Sequence, residues 1–206
     1  HHSNFNRRIF LTTPIYAETA DEWIEIGQKF RIQKEFEEAL KAYENAIELD
    51  PESAFAWNFK GFTLLLLDRP EEALASFEQS VKIDPEFTTG WSNLGGTQED
   101  LGHYEDSIHA YEKILSYDPT NSEVYDSIGM NLYSLGLYDE AILAHLKAIE
   151  FDPKFTNAWY NLGIIYQELG CYDEALNAYN NILEFYPENT DALIKKNLLI
   201  DIINSK

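Results

Sequence analysis

The sequence predicts an all-α solenoid of antiparallel helix pairs, and three observations predict it. The first is a fixed period, marked by the equally spaced Gly27, Gly61, Gly95, Gly129 and Gly163. The second is a pair of apolar stripes at helical spacing inside each period. Between Ala158 and Pro187 these are Trp159, Leu162, Tyr166 and Leu169, then Ala175, Leu176, Tyr179, Ile182 and Leu183. The third is a proline column, Pro51, Pro85, Pro119, Pro153 and Pro187, which closes each second helix because proline cannot continue one. Neither helix of a pair buries its stripe alone, and two packed together still leave one side uncovered. Each unit therefore needs neighbours, and the self-similarity sets five of them: 20–53, 54–87, 88–121, 122–155 and 156–189.

Further columns run in register. An aromatic stands four residues before each glycine: Trp23, Trp57, Trp91, Tyr125 and Trp159. Each second helix carries a small residue (Ala39, Ala73, Ser107, Ala141, Ala175) and, four residues on, Tyr43, Phe77, Tyr111, His145 or Tyr179. The combined pattern W-x2-L-G-x2-Y, A-x3-F/Y, P resembles the tetratricopeptide repeat family throughout 20–189. The resemblance implies a right-handed superhelix whose first helices line a concave, peptide-binding face. A glycine inside a helix costs about 1 kcal/mol against alanine, a cost expected to be offset by close approach of the second helix at its small-residue column. Thr88, Ser122, Thr156 and Thr190, three residues after their prolines, are the expected N-caps.

Taken in order, residues 1–19 lie outside the repeats, and His1-His2 read as a purification-tag remnant. The rest of this segment holds Arg7 and Arg8 against the single acid Glu18, among Phe5, Ile9, Phe10, Leu11, Ile15 and Tyr16. Three readings stand side by side: a loose leader, the tail of a targeting segment, and a basic apolar strand docking on an acidic groove. Unit one has Lys34 where a glycine usually separates the helices. Unit two departs most. Lys60 replaces Ile or Leu, Pro70 opens its second helix at a position that accepts proline, and Phe55, Phe59 and Phe62 form a second apolar face. That face is either extra packing or a hydrophobic pocket on the groove. Unit three, with Gly95-Gly96 and Gln98, is expected to be the least rigid, or to admit close approach of a ligand backbone. Unit four places Met130 and Tyr133 on the groove side, and His145 replaces an aromatic as a packed core residue. Residues 190–206 read as a helix capping the array, with truncation of a longer parent chain as the alternative.

The net charge of −21 is partly structural. Acidic pairs open the second helices (Glu37-Glu38, Glu71-Glu72, Glu105-Asp106, Asp139-Glu140, Asp173-Glu174), where the helix dipole favours them, and Asp50, Asp84, Asp118 and Asp152 precede prolines. The remaining acidity disfavours nucleic acid and anionic membrane as partners. No apolar run approaches a membrane span. The one cysteine, Cys171, makes no internal disulfide and is compatible with a reducing compartment, so the chain is read as cytoplasmic. No phosphate-cradling loop, zinc signature or catalytic constellation is present in the sequence, so no cofactor or metal is expected and the chain is read as non-catalytic.

Function then follows from shape. On the face the resemblance assigns to ligand, Phe55, Phe59, Phe62, Met130 and Tyr160 are candidate anchors, with Ser127 and Ile164 beside them. Asn58, Asn93 and Asn161 are candidates to hold a peptide backbone, since an amide both donates and accepts. The lysines and arginine that clamp a terminal carboxylate in some members have no counterpart among Ile24, Asn58, Ser92, Asp126 and Tyr160. The expected role is a protein–protein interaction scaffold holding a neutral or basic peptide with apolar anchors. Two alternatives are self-assembly, with the N-terminal segment docked in its own or a neighbour's groove, and service as the targeting segment of a larger enzyme.

Overall fold

The computed structural model describes residues 16–206, and the readings attached to Arg7, Arg8 and the rest of 1–15 lie outside them. Among the described residues there are eleven helices and no strand. They pair as α1 (Ala20–Ile32) with α2 (Phe36–Leu49), α3 (Ala54–Leu66) with α4 (Pro70–Ile83), and α5 (Thr88–Asp100) with α6 (Tyr104–Tyr117). Then come α7 (Ser122–Ser134) with α8 (Tyr138–Phe151), α9 (Thr156–Glu168) with α10 (Tyr172–Phe185), and a last helix α11 (Thr190–Asn204). Each helix packs on its pair-mate, and each second helix on the first helix that follows, including α10 on α11. Helices α1 and α3 also touch, as do α7 and α9. The first helices thus crowd together along the inner side of an all-α solenoid.

The glycine column has a different partner from the one expected. A Cβ at Gly27 would lie 2.5 Å from Tyr43, at Gly61 2.7 Å from Phe77, at Gly129 2.6 Å from His145 and at Gly163 2.5 Å from Tyr179. Glycine therefore faces the ring of the second helix and not its small-residue column. The small residues are themselves buried, Ala39, Ala73, Ser107, Ala141 and Ala175 being fully enclosed, and the Ser107 hydroxyl donates to the Gly95 carbonyl at 2.8 Å. Gly102, Gly136 and Gly170, between helices, serve another need. Each has φ near +76° with open space around it, and Lys34 and Asp68 adopt the same left-handed turn in units one and two.

The turn between units is built by its aspartate. Oδ1 of Asp50, Asp84, Asp118 and Asp152 accepts from the backbone N–H two residues on, at 3.1–3.3 Å. This Asx-turn fixes the junction, and the next helix starts one residue earlier than the sequence expectation both there and after Tyr186, where no aspartate stands. The N-caps are Ser53, Phe87, Asn121, Phe155 and Asn189, while Thr88, Ser122, Thr156 and Thr190 are the first helical residues. Ser53, Asn121 and Asn189 accept from the N–H three residues on, as caps do. The aromatic column then straps the turn. Nε1–H of Trp57, Trp91 and Trp159 donates to the carbonyl of Pro51, Pro85 and Pro153 at 2.8–2.9 Å, and the Tyr125 hydroxyl does so to Pro119. Pro70 opens α4 at its first position, as expected. At the far end, Ala192 and Leu199 of α11 close the cluster of Ala175, Tyr179 and Ile182. Lys196 and Asn197 of α11 stand one repeat after Leu162 and Gly163 of α9.

Candidate functional site

The inner wall is presented by α1, α3, α5, α7 and α9, and packing fixes each side chain on it. The three phenylalanines of unit two do not share one surface. Phe55 is exposed and tilts against Phe87 of the next unit, with ring centroids 5.1 Å apart. Phe59 stacks back on Tyr43 at 5.5 Å and is half-buried. Phe62 is exposed, with the Arg31 guanidinium 5.6 Å from its centroid. Of the two readings, Phe59 is packing, whereas Phe55 and Phe62 remain available.

The asparagines are engaged across units. Asn93 Nδ2 donates to Asn58 Oδ1 at 2.9 Å, and Asn58 is buried. Asn161 Nδ2 donates to Asp126 Oδ1 at 3.1 Å. Two further links run along the same wall: Asn131 to Glu99 at 3.0 Å, and Tyr133 hydroxyl to Glu168 at 2.7 Å. Acceptance by the Glu168 carboxylate pushes the Tyr133 phenol above its ordinary value. Asn93 and Asn161 are half-buried and each keeps a carbonyl oxygen; Ser127, between them, is also half-buried.

Unit four holds the most distinctive chemistry. His145, fully buried, sits with Nδ1 2.8 Å from Oδ1 of buried Asp126, the same oxygen that accepts from Asn161. His145 Nε2 has no partner. A cavity of about 290 Å³ opens beside it, lined by Met130, Tyr133, Ser134, His145, Asn161, Ile164 and Ile165. The structure therefore brings Met130, Asn161 and Ile164 together. Tyr160 packs edge-on against Tyr179 at 6.1 Å. Asp126 and His145 lie 19 residues apart, and the one sequence signal is His145 in an otherwise aromatic column, since the column of Asp126 has no consensus. Ile194 and Leu198 of α11 also escape the sequence reading as site residues. They stand one repeat after Tyr160 and Ile164, are exposed, and carry the apolar wall one helix further.

Among the described residues, no group of three His, Cys, Asp or Glu side chains is placed to hold a metal ion. Among the same residues, no helix is long and apolar enough to cross a membrane.

Comparison with known proteins gives the following. Models described as tetratricopeptide repeat match residues 20–53 and 156–189, and 54–87 and 88–121. A model described as TPR repeat matches 129–170. Among curated proteins, none matches the sequence. Solved structures similar to this chain include the MamA protein, 26% identical, covering 81% of this chain and 91% of its own, with a TM-score of 0.75. YrrB, described as a TPR protein with an unusual peptide-binding site, is 25% identical, with 86% and 92% coverage and a TM-score of 0.73. A MamA structure from Desulfovibrio magneticus RS-1, 17% identical over 85% of this chain and 99% of its own, shares the fold with a TM-score of 0.76.

Proposed function

Because this chain belongs to the tetratricopeptide repeat family and is a protein-interaction scaffold, we propose that its concave face holds a peptide segment of a partner protein. The peptide is neutral or basic with one or two apolar anchors, and no chemistry is performed on it. The observation that carries this reading is that Phe55, Phe62 and Met130, candidate anchors on first helices, are large apolar side chains left exposed, as Ile32 and Leu66 also are on the first helices α1 and α3. Large apolar side chains left exposed on a folded chain favour a contact surface. Their setting is acidic, with Glu123 on the helix of Met130, Glu25, Asp100 and Glu168 on the other first helices α1, α5 and α9, and a net charge of −21, which disfavours an acidic ligand. Asn93 and Asn161 offer their remaining carbonyl oxygens to backbone N–H groups.

A peptide library displayed on phage and selected on the protein tests this. The enriched sequences are expected to be poor in Asp and Glu, and their affinity to fall at least tenfold with Phe62→Glu plus Met130→Glu. Both positions are exposed, so the melting temperature should hold. Enrichment of acidic peptides, or affinities indifferent to the double substitution, would refute the reading.

A further inference from the structure

The second helices carry the outer surface of the solenoid, and unit four breaks their pattern there. At the position of Leu143 the other units have Lys41, Ala75, His109 and Asn177, and at that of Leu146 they have Glu44, Glu78, Glu112 and Asn180. Unit four alone puts a large apolar residue at either position. Leu143 is 63% exposed and Leu146 39%. Three residues apart on α8, they are neighbours on its surface. The fold does not bury them, and the other four units pack without them.

Beside them lies a groove of about 400 Å³ between α8 and α10, floored by α9. Leu146 forms one bank, Trp159, Leu162 and Tyr166 the floor, and Asp173 and Glu174 the far bank. The corresponding place between units one and two is occupied from within. There Glu44 and Lys60 stand where this groove has Leu146 and Leu162. The Lys60 ammonium lies 3.3 Å from the Glu44 carboxylate and 5.5 Å from the centroid of the Trp57 ring. Between units four and five both members of that ion pair are leucines, so the groove keeps its tryptophan and its acidic bank but loses the cation.

We propose that this outer ridge and groove dock an amphipathic segment of a partner protein, which sets a large apolar residue against Leu143 and Leu146 and a lysine or arginine against Asp173 and Glu174. The leucines supply the apolar contact, and the acidic bank sets the sign of the partner. The partner's cation takes the role that Lys60 plays in unit two, its aliphatic stem on Trp159 and its charge at the carboxylates. The lysine of α8, Lys147, does not serve, because its ammonium is held by Glu150 at 2.7 Å. A second copy of this chain is a poor occupant. Its own ridge would bring Asp139, Glu140, Asp173 and Glu174 against their like, on a chain of net charge −21. The surface is separate from the concave face, so neither reading depends on the other.

A phage-displayed peptide library selected on the variant Phe62→Glu, Met130→Glu tests this, since the concave anchors are then gone and the outer surface is intact. The enriched peptides are expected to combine a large apolar residue with lysine or arginine. Their affinity by titration calorimetry should fall at least tenfold when Leu143→Lys and Leu146→Glu install the residues of unit one. That exchange leaves the net charge unchanged, so the fall reports the leucines and not the overall field. Both positions are exposed and tolerate Lys41 and Glu44 in unit one, so the melting temperature should hold. Asp173→Asn plus Glu174→Gln should weaken the same peptides about threefold and flatten their dependence on salt. No enriched peptide, peptides rich in Asp or Glu, or affinities indifferent to the leucine exchange or to loss of the acidic bank overturn the proposal. A dimer seen by light scattering and abolished by the leucine exchange assigns the surface to a second copy and overturns it too. Failure of the concave reading shows separately, as peptides selected on the wild type that are indifferent to Phe62→Glu plus Met130→Glu.

Discussion

Two glycines that look alike in the sequence should respond to alanine with opposite sign. Gly163→Ala adds a Cβ 2.5 Å from Tyr179 Cε1 and 2.7 Å from Cζ. Ordinary carbon contacts begin near about 3.5 Å, so about 1 Å of relief is needed. Tyr179 cannot supply it cheaply, being fully buried against Ile182, Ala192 and Leu199. Overpacking of this order costs roughly 1–3 kcal/mol, and the gain in helix propensity returns about 1 kcal/mol. The net expectation is a loss of up to about 2 kcal/mol. At Gly96 the nearest atom to a new Cβ is the Tyr111 hydroxyl at 3.7 Å, an ordinary contact. Gly96→Ala should therefore keep the propensity gain and stabilise by about 1 kcal/mol. Urea unfolding measured by far-ultraviolet circular dichroism and by the fluorescence of the four tryptophans gives both values. Coincidence of the two probes is the check that one free energy describes the transition. Equal stability for the two variants, or a stabilised Gly163→Ala, would refute the ring-against-glycine account of the column.

The remaining predictions concern titration and the buried pair. Burial is the main cause that pushes the phenols of Tyr111 and Tyr179 up to about 12. In the unfolded chain a tyrosine loses its proton near about pH 10. Between those values the unfolded state binds fewer protons than the native one, so stability is intact below about pH 10 and falls as pH rises toward about 12. Tyrosinate absorbance should appear together with loss of helical signal in that window, and the Tyr111→Phe, Tyr179→Phe variant should move the transition to higher pH. Asp126→Ala strips a buried acceptor from both His145 and Asn161, and each orphaned group costs about 1–3 kcal/mol. A urea midpoint unchanged from wild type would show that these contacts are not maintained in solution.

What can be read from the sequence is what depends on near neighbours and on repetition. Helix pairs, proline stops and the acidic helix starts recur in every unit, and each recurrence multiplies a local signal. The N-caps Phe87, Asn121, Phe155 and Asn189 stand two residues after their prolines and not three, whether the junction carries an Asx-turn or, after Tyr186, carries none. The partner of the glycine column also differs from expectation. Ala175 and Tyr179 share one face of α10, and only the crossing of the helices decides which of them meets Gly163. The wall asparagines can be placed in a column, yet that Asn93 gives a donor to Asn58, 35 residues earlier, depends on the spacing of successive first helices. The Asp126–His145 pair is invisible because only His145 departs from a consensus, and its partner stands in a column that holds five different residues.

The links between first helices are unevenly distributed. Hydrogen bonds tie α3 to α5 (Asn93–Asn58), α5 to α7 (Asn131–Glu99) and α7 to α9 (Asn161–Asp126 and Tyr133–Glu168). Among the described residues, α1 meets α3 only through softer contacts, such as Arg31 over Phe62. The first unit is joined to the second by other means, through α2 and α3: the Lys60 ammonium lies 3.3 Å from the Glu44 carboxylate, and the rings of Tyr43 and Phe59 stack. The seam between units thus changes character along the array, from ring stacking and an ion pair at one end to side-chain hydrogen bonds across the wall in the rest.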